Sequence, residues 1–282
     1  MDMTGRTCIV TGATSGIGRA TVGALNSAGA RLVLVARNAE KAELTRKELL
    51  AERPDAEISV HLADLSRLDE IRRVVPALLE DCPRIDVLLN NAGIVMMKRT
   101  VTPDGFESMF GINHLAYYLM TRLLLDRIAE SPGSRIVSVS SEAHRFAKWD
   151  FEDLQSEKSF SGMRVYGNSK LANIMFTRAL AKRLEGTGVT ANCLHPGAVD
   201  TNLGQDNGWL FKVIHPFTKL FLRSPEDGAK TSIHLCMSPE VADVSGTYFQ
   251  NEKPRRPTDL ALDDDAAERL WQMSAEMVDL AP

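Results

Sequence analysis

The sequence predicts a doubly wound α/β fold around a mainly parallel sheet of about seven strands. Three observations carry this expectation: short apolar runs rich in β-branched residues, helical-period segments between them, and a glycine-rich turn directly after the first run. A strand covered by helices on both faces has no solvent side, so it reads as a near-continuous apolar run. Such runs are Thr7-Cys8-Ile9-Val10, Leu32-Val33-Leu34-Val35, Ile58-Ser59-Val60-His61-Leu62 and Val87-Leu88-Leu89. Three more follow: Arg135-Ile136-Val137-Ser138-Val139, Val189-Thr190-Ala191-Asn192-Cys193-Leu194 and Gly246-Thr247-Tyr248-Phe249. The periodicity between them predicts helices at about 16–28, 39–52, 67–81, 105–130, 166–186, 225–238 and 264–278. Ser66, with Asp69 three residues on, is the expected N-cap of the third helix, and Gly186 and Gly188 close the fifth.

No repeat, linker or low-complexity tract divides the 282 residues, so one domain is expected, with insertions near 142–162 and 200–224. A net charge of −4 gives no reason to expect nucleic acid. The apolar stretches fall far short of the 18 or more residues a membrane span needs, and no signal-type N-terminus precedes the first strand. A cytoplasmic location is expected. Cys8, Cys82, Cys193 and Cys236 show no CxxC spacing and are read as buried, reduced thiols. No cluster has zinc-ligand spacing, so no metal is expected.

The first strand runs into Thr11-Gly12-Ala13-Thr14-Ser15-Gly16-Ile17-Gly18 and then a helix. Glycines at such a turn let backbone approach a pyrophosphate, which the helix N-terminus stabilises. At the end of the second strand, where an NAD site usually holds an acid for the ribose 2′-hydroxyl, the chain has Arg37. A guanidinium there pairs with a 2′-phosphate, which points to NADP. Arg19 either assists it or lies on the helix surface. Asp64, just past the third strand, is placed to meet the adenine edge, with Leu65 beside it.

Tyr166 and Lys170 are four residues apart, on one helical face. An ammonium about 4 Å from the phenol would lower its pKa from about 10 by roughly three units, before desolvation is subtracted. Tyr166 would then serve as a general acid or base. Ser140 and Ser141 both place a hydroxyl at the end of the fifth strand, where one could stabilise charge on a substrate oxygen. His195 precedes a Pro196-Gly197 turn and is read as structural.

Together with Asn90-Asn91-Ala92-Gly93 and Tyr166-Gly167-Asn168-Ser169-Lys170, the glycine turn makes residues 5 to about 250 resemble a short-chain dehydrogenase/reductase. Within that family the chain is most similar to the retinol-dehydrogenase-like group. The grounds are Ile136-Val137-Ser138-Val139-Ser140-Ser141-Glu142-Ala143-His144, Ser169-Lys170-Leu171-Ala172-Asn173 and His195-Pro196-Gly197-Ala198-Val199-Asp200-Thr201. The resemblance implies a Rossmann-type domain, hydride transfer at the B face of NADP(H), and a catalytic set of Asn113, Ser141, Tyr166 and Lys170. It selects Ser141 over Ser140, and gives Asn113 a water that joins the lysine to solvent, although an ordinary helix polar residue is the alternative. Cofactor contacts would come from Gly12, Thr14, Ser15, Gly16, Ile17, Gly18, Arg37, Asp64, Leu65, Asn90, Asn91, Ala92 and Gly93. Tyr166, Lys170, Pro196, Gly197, the Val199 backbone and the Thr201 hydroxyl would complete them. It also allows a homodimer through the helices holding Asn113 and Tyr166.

The first insertion, with Phe146, Trp149, Phe151 and Phe160, is expected to wall the substrate site, as is the aromatic-rich segment 204–223. Both favour a lipophilic alcohol or carbonyl substrate. For 204–223 a packing helix, a subunit interface or contact with a membrane surface are the alternatives. The competing function is an NADP(H)-sensing protein that uses the same fold to regulate a partner.

Overall fold

Alternate residues of each strand enter different cores, which is why the sheet carries helices on both faces. Ile9, Val33, Val35, Leu88 and Ile136 join one hydrophobic cluster, while Cys8, Val10, Leu32, Leu34, Val87, Leu89, Val137 and Val139 join the other. The computed structural model of the chain describes residues 1–197 and 223–282. Its strands are β1 (Thr7–Thr11), β2 (Arg31–Ala36), β3 (Ile58–Leu62), β4 (Val87–Asn90), β5 (Arg135–Val139), β6 (Thr190–His195), β7 (Tyr248–Gln250) and β8 (Lys253–Pro254). They form one sheet in the order β3-β2-β1-β4-β5-β6-β7-β8, parallel except for β8. The expected strand count of about seven becomes eight. Two residues returning antiparallel onto β7 carry no periodic signal that a sequence could show.

The chain leaves β1 for β2 on one side and later returns to place β4 on the other, so a crevice opens beyond the C-terminal ends of β1 and β4. The helices are α1 (Gly16–Ser27), α2 (Ala39–Glu52), α3 (Leu68–Asp81), α4 (Ala116–Ala129), α5 (Gly162–Arg183), α6 (Pro225–Met237) and α7 (Asp264–Met277). Local caps explain several boundaries. Asn38 accepts from Lys41 N at 2.8 Å, Ser224 from Asp227 N at 3.1 Å ahead of Pro225, and Asp263 from Ala266 N at 3.0 Å.

Ser66 does not cap α3. Arg67 occupies the cap position, Leu68 N donates to Asp104 Oδ2 at 2.8 Å, and the acceptor comes from a loop 36 residues away. The helix expected at 105–130 begins later, because residues 101–107 close a tight turn: Thr102 N donates to Phe106 O at 2.7 Å and Gly105 has φ +89°. Glu107 then accepts from Met109 N and Phe110 N, and a π-helical turn, Gly111–Leu115, precedes α4. Conversely α5 starts four residues before its expected position, since Gly162 lets the helix backbone close on Met96 and Met97. After α5 the chain turns through Gly186 at φ +80° and Gly188 at φ +76°. All four cysteines are free and buried. Among the described residues no helix is long and apolar enough to cross a membrane, and no group of three or more His, Cys, Asp or Glu could hold a metal.

Candidate active site

The glycine turn is fixed from behind by the end of β4. Thr11 Oγ1 accepts from Asn91 N at 2.9 Å and from Ala92 N at 3.1 Å, and Asn91 Nδ2 donates to Thr11 O at 2.9 Å and Gly12 O at 3.2 Å. Gly12 adopts φ +66°, and a Cβ there would stand 2.9 Å from Ala92 Cα. At Gly18 a Cβ would stand 2.6 Å from Asn91 Nδ2 and nearer still to Gly12 O. The turn after β1, the first turn of α1 and the chain leaving β4 thus meet with no room for side chains at Gly12 and Gly18, and bare backbone lines the crevice there. Ser15 is the N-cap of α1, yet its side chain makes no cap bond, so the first-turn amides are left to an external acceptor. Gly16 turns with φ +52°, the partly exposed Thr14 flanks it, and Ile17 is buried beneath.

Register places the residues expected to select the nucleotide beside this turn. Thr11 pairs with Val35, and Val35 with His61, so the chain just past β1, β2 and β3 presents Gly12, Arg37 and Asp64 along one sheet edge. Arg37 is exposed and makes no ion pair or side-chain hydrogen bond among the described residues. Arg19, by contrast, pairs with Glu48 at 3.1 Å and Glu52 at 3.7 Å on α2, so it serves the helix surface. Asp64 Oδ1 accepts from Ser66 N at 3.0 Å, and Leu65 packs against the larger core.

The four residues expected to act together do converge. Asn113 lies in the π turn, where Ala116 N reaches back to Gly111 O. Its Oδ1 accepts from Ile94 N at 2.8 Å, while Nδ2 donates to Ile94 O and Ser169 Oγ, both at 3.0 Å. Ser169 Oγ in turn donates to Tyr166 O at 2.8 Å. Lys170 is buried and its Nζ donates to Val139 O at 2.9 Å. Between them runs Gly93, where a Cβ would stand 3.1 Å from Asn113 Oδ1 and 3.5 Å from Lys170 Nζ. Asn90 Nδ2 is engaged by Thr121 Oγ1 at 2.9 Å, below the crevice floor. Tyr166 is half-buried and faces the Ser141 side chain, whose Oγ accepts from Ala143 N at 3.1 Å. The two serines separate cleanly: Ser140 Oγ donates to Lys170 O at 2.7 Å inside the protein, whereas Ser141 faces Tyr166.

The profile described as short chain dehydrogenase matches residues 6–208. The chain belongs to this family. Retinol dehydrogenase 14 of Mus musculus is 43% identical over 290 residues, covering 98% of this chain and 86% of that one. A crystal structure of an uncharacterized protein from Mycobacterium paratuberculosis aligns with TM-score 0.80 and 29% identity, covering 99% of this chain and 95% of that one. A 3-ketoacyl-(acyl-carrier-protein) reductase from Brucella melitensis, complexed with NADH, aligns with TM-score 0.67 and 27% identity over 87% of this chain and 96% of its own. This short-chain dehydrogenase therefore stands with the retinol-dehydrogenase-like oxidoreductases, a family that uses NAD(P)(H) on alcohol and carbonyl groups.

The electrostatics of the dehydrogenase differ from the simple tyrosine–lysine expectation. Burial pushes the Tyr166 phenol up to about 12, opposed by the facing Ser141 hydroxyl, and pushes the Lys170 ammonium down to about 7. Lys170 Nζ lies 5.7 Å from the Tyr166 ring centroid and spends a proton on Val139 O, so in the protein alone desolvation outweighs the charge pairing. His195 is held down to about 4 by burial and is neutral near pH 7, as a structural residue would be. Gly197 turns at φ +93° after Pro196, against the Arg223 side chain. Val199, Thr201 and most of the 204–223 segment lie outside the described residues.

The aromatic residues of the first insertion divide between the core and the surface. Trp149 and Phe151 meet edge to face at 5.5 Å and pack on the main core, and Arg269 of α7 covers Phe151 at 4.3 Å. Their rings fill a seam that sequence cannot show, because α7 lies more than 100 residues downstream. Phe146, 66% exposed, faces outward. Two contributors escaped the sequence reading. Thr11 holds the Asn91-Ala92 backbone, and Ser169 ties Asn113 to the Tyr166 turn; the signals were the hydroxyl before Gly12 and the serine one residue before Lys170.

Proposed function

We propose that this short-chain dehydrogenase transfers a hydride between NADP(H) and the carbonyl or alcohol carbon of a lipophilic substrate, with Tyr166 as general acid or base. The observation that carries the coenzyme choice is Arg37: a guanidinium without a partner among the described residues, at the end of β2 beside the glycine turn, where NAD would call for an acid. The loop suits a dinucleotide because side chains at Gly12 or Gly18 would fill the cradle, and because Ser15 leaves the helix amides uncapped. Gly12, Thr14, Ser15, Gly16, Ile17 and Gly18 would hold the pyrophosphate, Arg37 the 2′-phosphate, and Asp64 and Leu65 the adenine. Asn90, Asn91, Ala92 and Gly93 would support the far side, with Lys170 near the nicotinamide ribose. The bound nicotinamide supplies or accepts the hydride.

Tyr166 donates its phenolic proton to the substrate oxygen in reduction and takes it back in oxidation. Ser141, whose hydroxyl meets Tyr166, holds the same oxygen and stabilises charge there. Lys170, positive when protonated, favours the phenolate, and Asn113 braces the turn that presents both.

A lipophilic substrate is supported by the side chains flanking Tyr166. Met163 precedes it by one turn of α5 and is 43% exposed, and Met97 closes on Gly162 and is 46% exposed. The relatives named as retinol dehydrogenases agree with this. Activity profiling with all-trans-retinal and a graded series of aldehydes and ketones, each with NADPH and NADH, tests the reading. It expects NADPH-linked turnover that rises with apolar bulk, and absence of turnover throughout would overturn it. We also propose a cytoplasmic location, which cell fractionation checks.

A further inference from the structure

Tyr117 is a side chain that neither the catalytic set nor the cofactor contacts use, although it sits in their midst. It lies on α4, one turn beyond Asn113, and is 1% exposed. Its hydroxyl has no hydrogen-bond partner among the described residues. A buried hydroxyl left unpaired costs stability, so a polar role within the protein does not account for the residue. Its ring, however, is engaged. Lys170 Nζ stands over the Tyr117 ring, 5.7 Å from its centroid, and at the same 5.7 Å from the Tyr166 centroid, so two aromatic faces meet one ammonium.

Every element packed on that ammonium has been stripped of anions. β5 offers the Val139 carbonyl, the turn after β4 offers Gly93, and the π turn offers Asn113, which is occupied by Ile94 and Ser169. The titratable groups facing it are Tyr117 and Tyr166, and no carboxylate among the described residues bears on it. A desolvated cation with one backbone acceptor needs further stabilisation, and the negative face of an aromatic ring provides it without competing for the proton.

We propose that Tyr117 is a positioning residue whose ring, together with that of Tyr166, forms an aromatic clasp that keeps the Lys170 ammonium charged and aimed at the reaction centre. This deepens the proposed function, since it rests on Lys170 assisting Tyr166. The ring acts on the charge of Lys170 and touches no substrate. Because the hydroxyl is idle within the protein, Phe should replace Tyr117 with little loss, whereas an aliphatic side chain of similar size should not.

The direct test is the protonation of Lys170 itself, followed by NMR of 13Cε-labelled lysine in the cofactor-free protein, with Lys170→Met assigning the resonance. Tyr117→Phe is expected to titrate within about 0.3 unit of wild type. Tyr117→Met is expected to titrate about 0.7 unit lower, a five-fold weaker hold on the proton, which corresponds to about 1 kcal/mol. Unchanged or raised protonation in Tyr117→Met would overturn the clasp. Should Tyr117→Met fail to fold, 3,4,5-trifluorophenylalanine at position 117 preserves ring shape while weakening its face, and must lower the same titration; no change would be equally fatal. Because this readout needs no turnover, it stands apart from the carbonyl panel: loss of the clasp leaves the hydride-transfer reading intact, and an inactive wild type leaves the titration measurable. Where turnover is found, the pH limb of alcohol oxidation should move upward in Tyr117→Met and stay in place in Tyr117→Phe.

Discussion

Substituting Gly18→Ala should damage both stability and coenzyme binding, because the added methyl has nowhere to go. It would stand 2.6 Å from Asn91 Nδ2, nearer still to Gly12 O and 3.0 Å from Gly12 C. Carbon atoms pack at about 3.5–4.0 Å, so loop and helix must part by about 1 Å. Such overpacking costs about 1–3 kcal/mol. The displaced atoms also include both partners of the bond between Asn91 Nδ2 and Gly12 O, 3.2 Å in the wild type, which adds about 0.5–1.5 kcal/mol. Urea unfolding should therefore show a loss of about 2–4 kcal/mol. NADPH titration should show at least about tenfold weaker binding, since the same 1 Å separates the loop from the helix amides that hold the pyrophosphate. Gly23→Ala is the internal control: on the same helix its Cβ meets only the flexible end of Arg19 at 3.2 Å. It should be neutral or gain up to about 1 kcal/mol, with unchanged affinity. If Gly18→Ala matched Gly23→Ala in both measurements, close backbone packing would not be what builds the crevice.

Arg37→Asp should lower NADPH affinity about 10- to 100-fold, as the loss of a charge-assisted pair of about 1.5–3 kcal/mol requires, and improve NADH relative to it; an unchanged ratio of dissociation constants would separate Arg37 from the phosphate. Lys170→Met should change how stability depends on pH. The folded value of about 7 lies below the unfolded 10.5, so below pH 7 both states are charged and the burial cost is fully present. Between those values the unfolded chain holds the proton that the folded chain has released, and stability rises with pH. Wild type should gain about 3 kcal/mol relative to Lys170→Met from pH 6 to pH 9 in urea melts, and parallel pH profiles for the two would show that Lys170 keeps an ordinary pKa.

How far the sequence alone reaches depends on how local each cause is. Strand cores such as Leu32 to Val35 are legible because both faces are buried, which leaves one unbroken apolar signature. The glycine turn is legible because Gly12 and Gly18 sit where no other residue fits. Causes that arrive from a distance are not: Asp104 caps α3 in place of Ser66, and α7 draws Trp149 and Phe151 away from the crevice. The π turn at Gly111–Leu115 lies in a segment whose pattern reads as plain helix, and only the tertiary bonds of Asn113 to Ile94 and Ser169 distinguish it. Spacing put Tyr166 and Lys170 on one face, but not in the right electrostatic balance. The desolvation that drives their pKa values apart comes from surrounding elements that the spacing does not contain.

The proposed chemistry turns on the phenolic proton of Tyr166, and Tyr166→Phe tests it most directly. With the preferred carbonyl substrate and NADPH, kcat should fall by about 10² to 10⁴, the usual worth of a positioned general acid, while the NADPH dissociation constant stays within about threefold. Retention of more than about a tenth of the wild-type kcat, with NADPH bound normally, would contradict it.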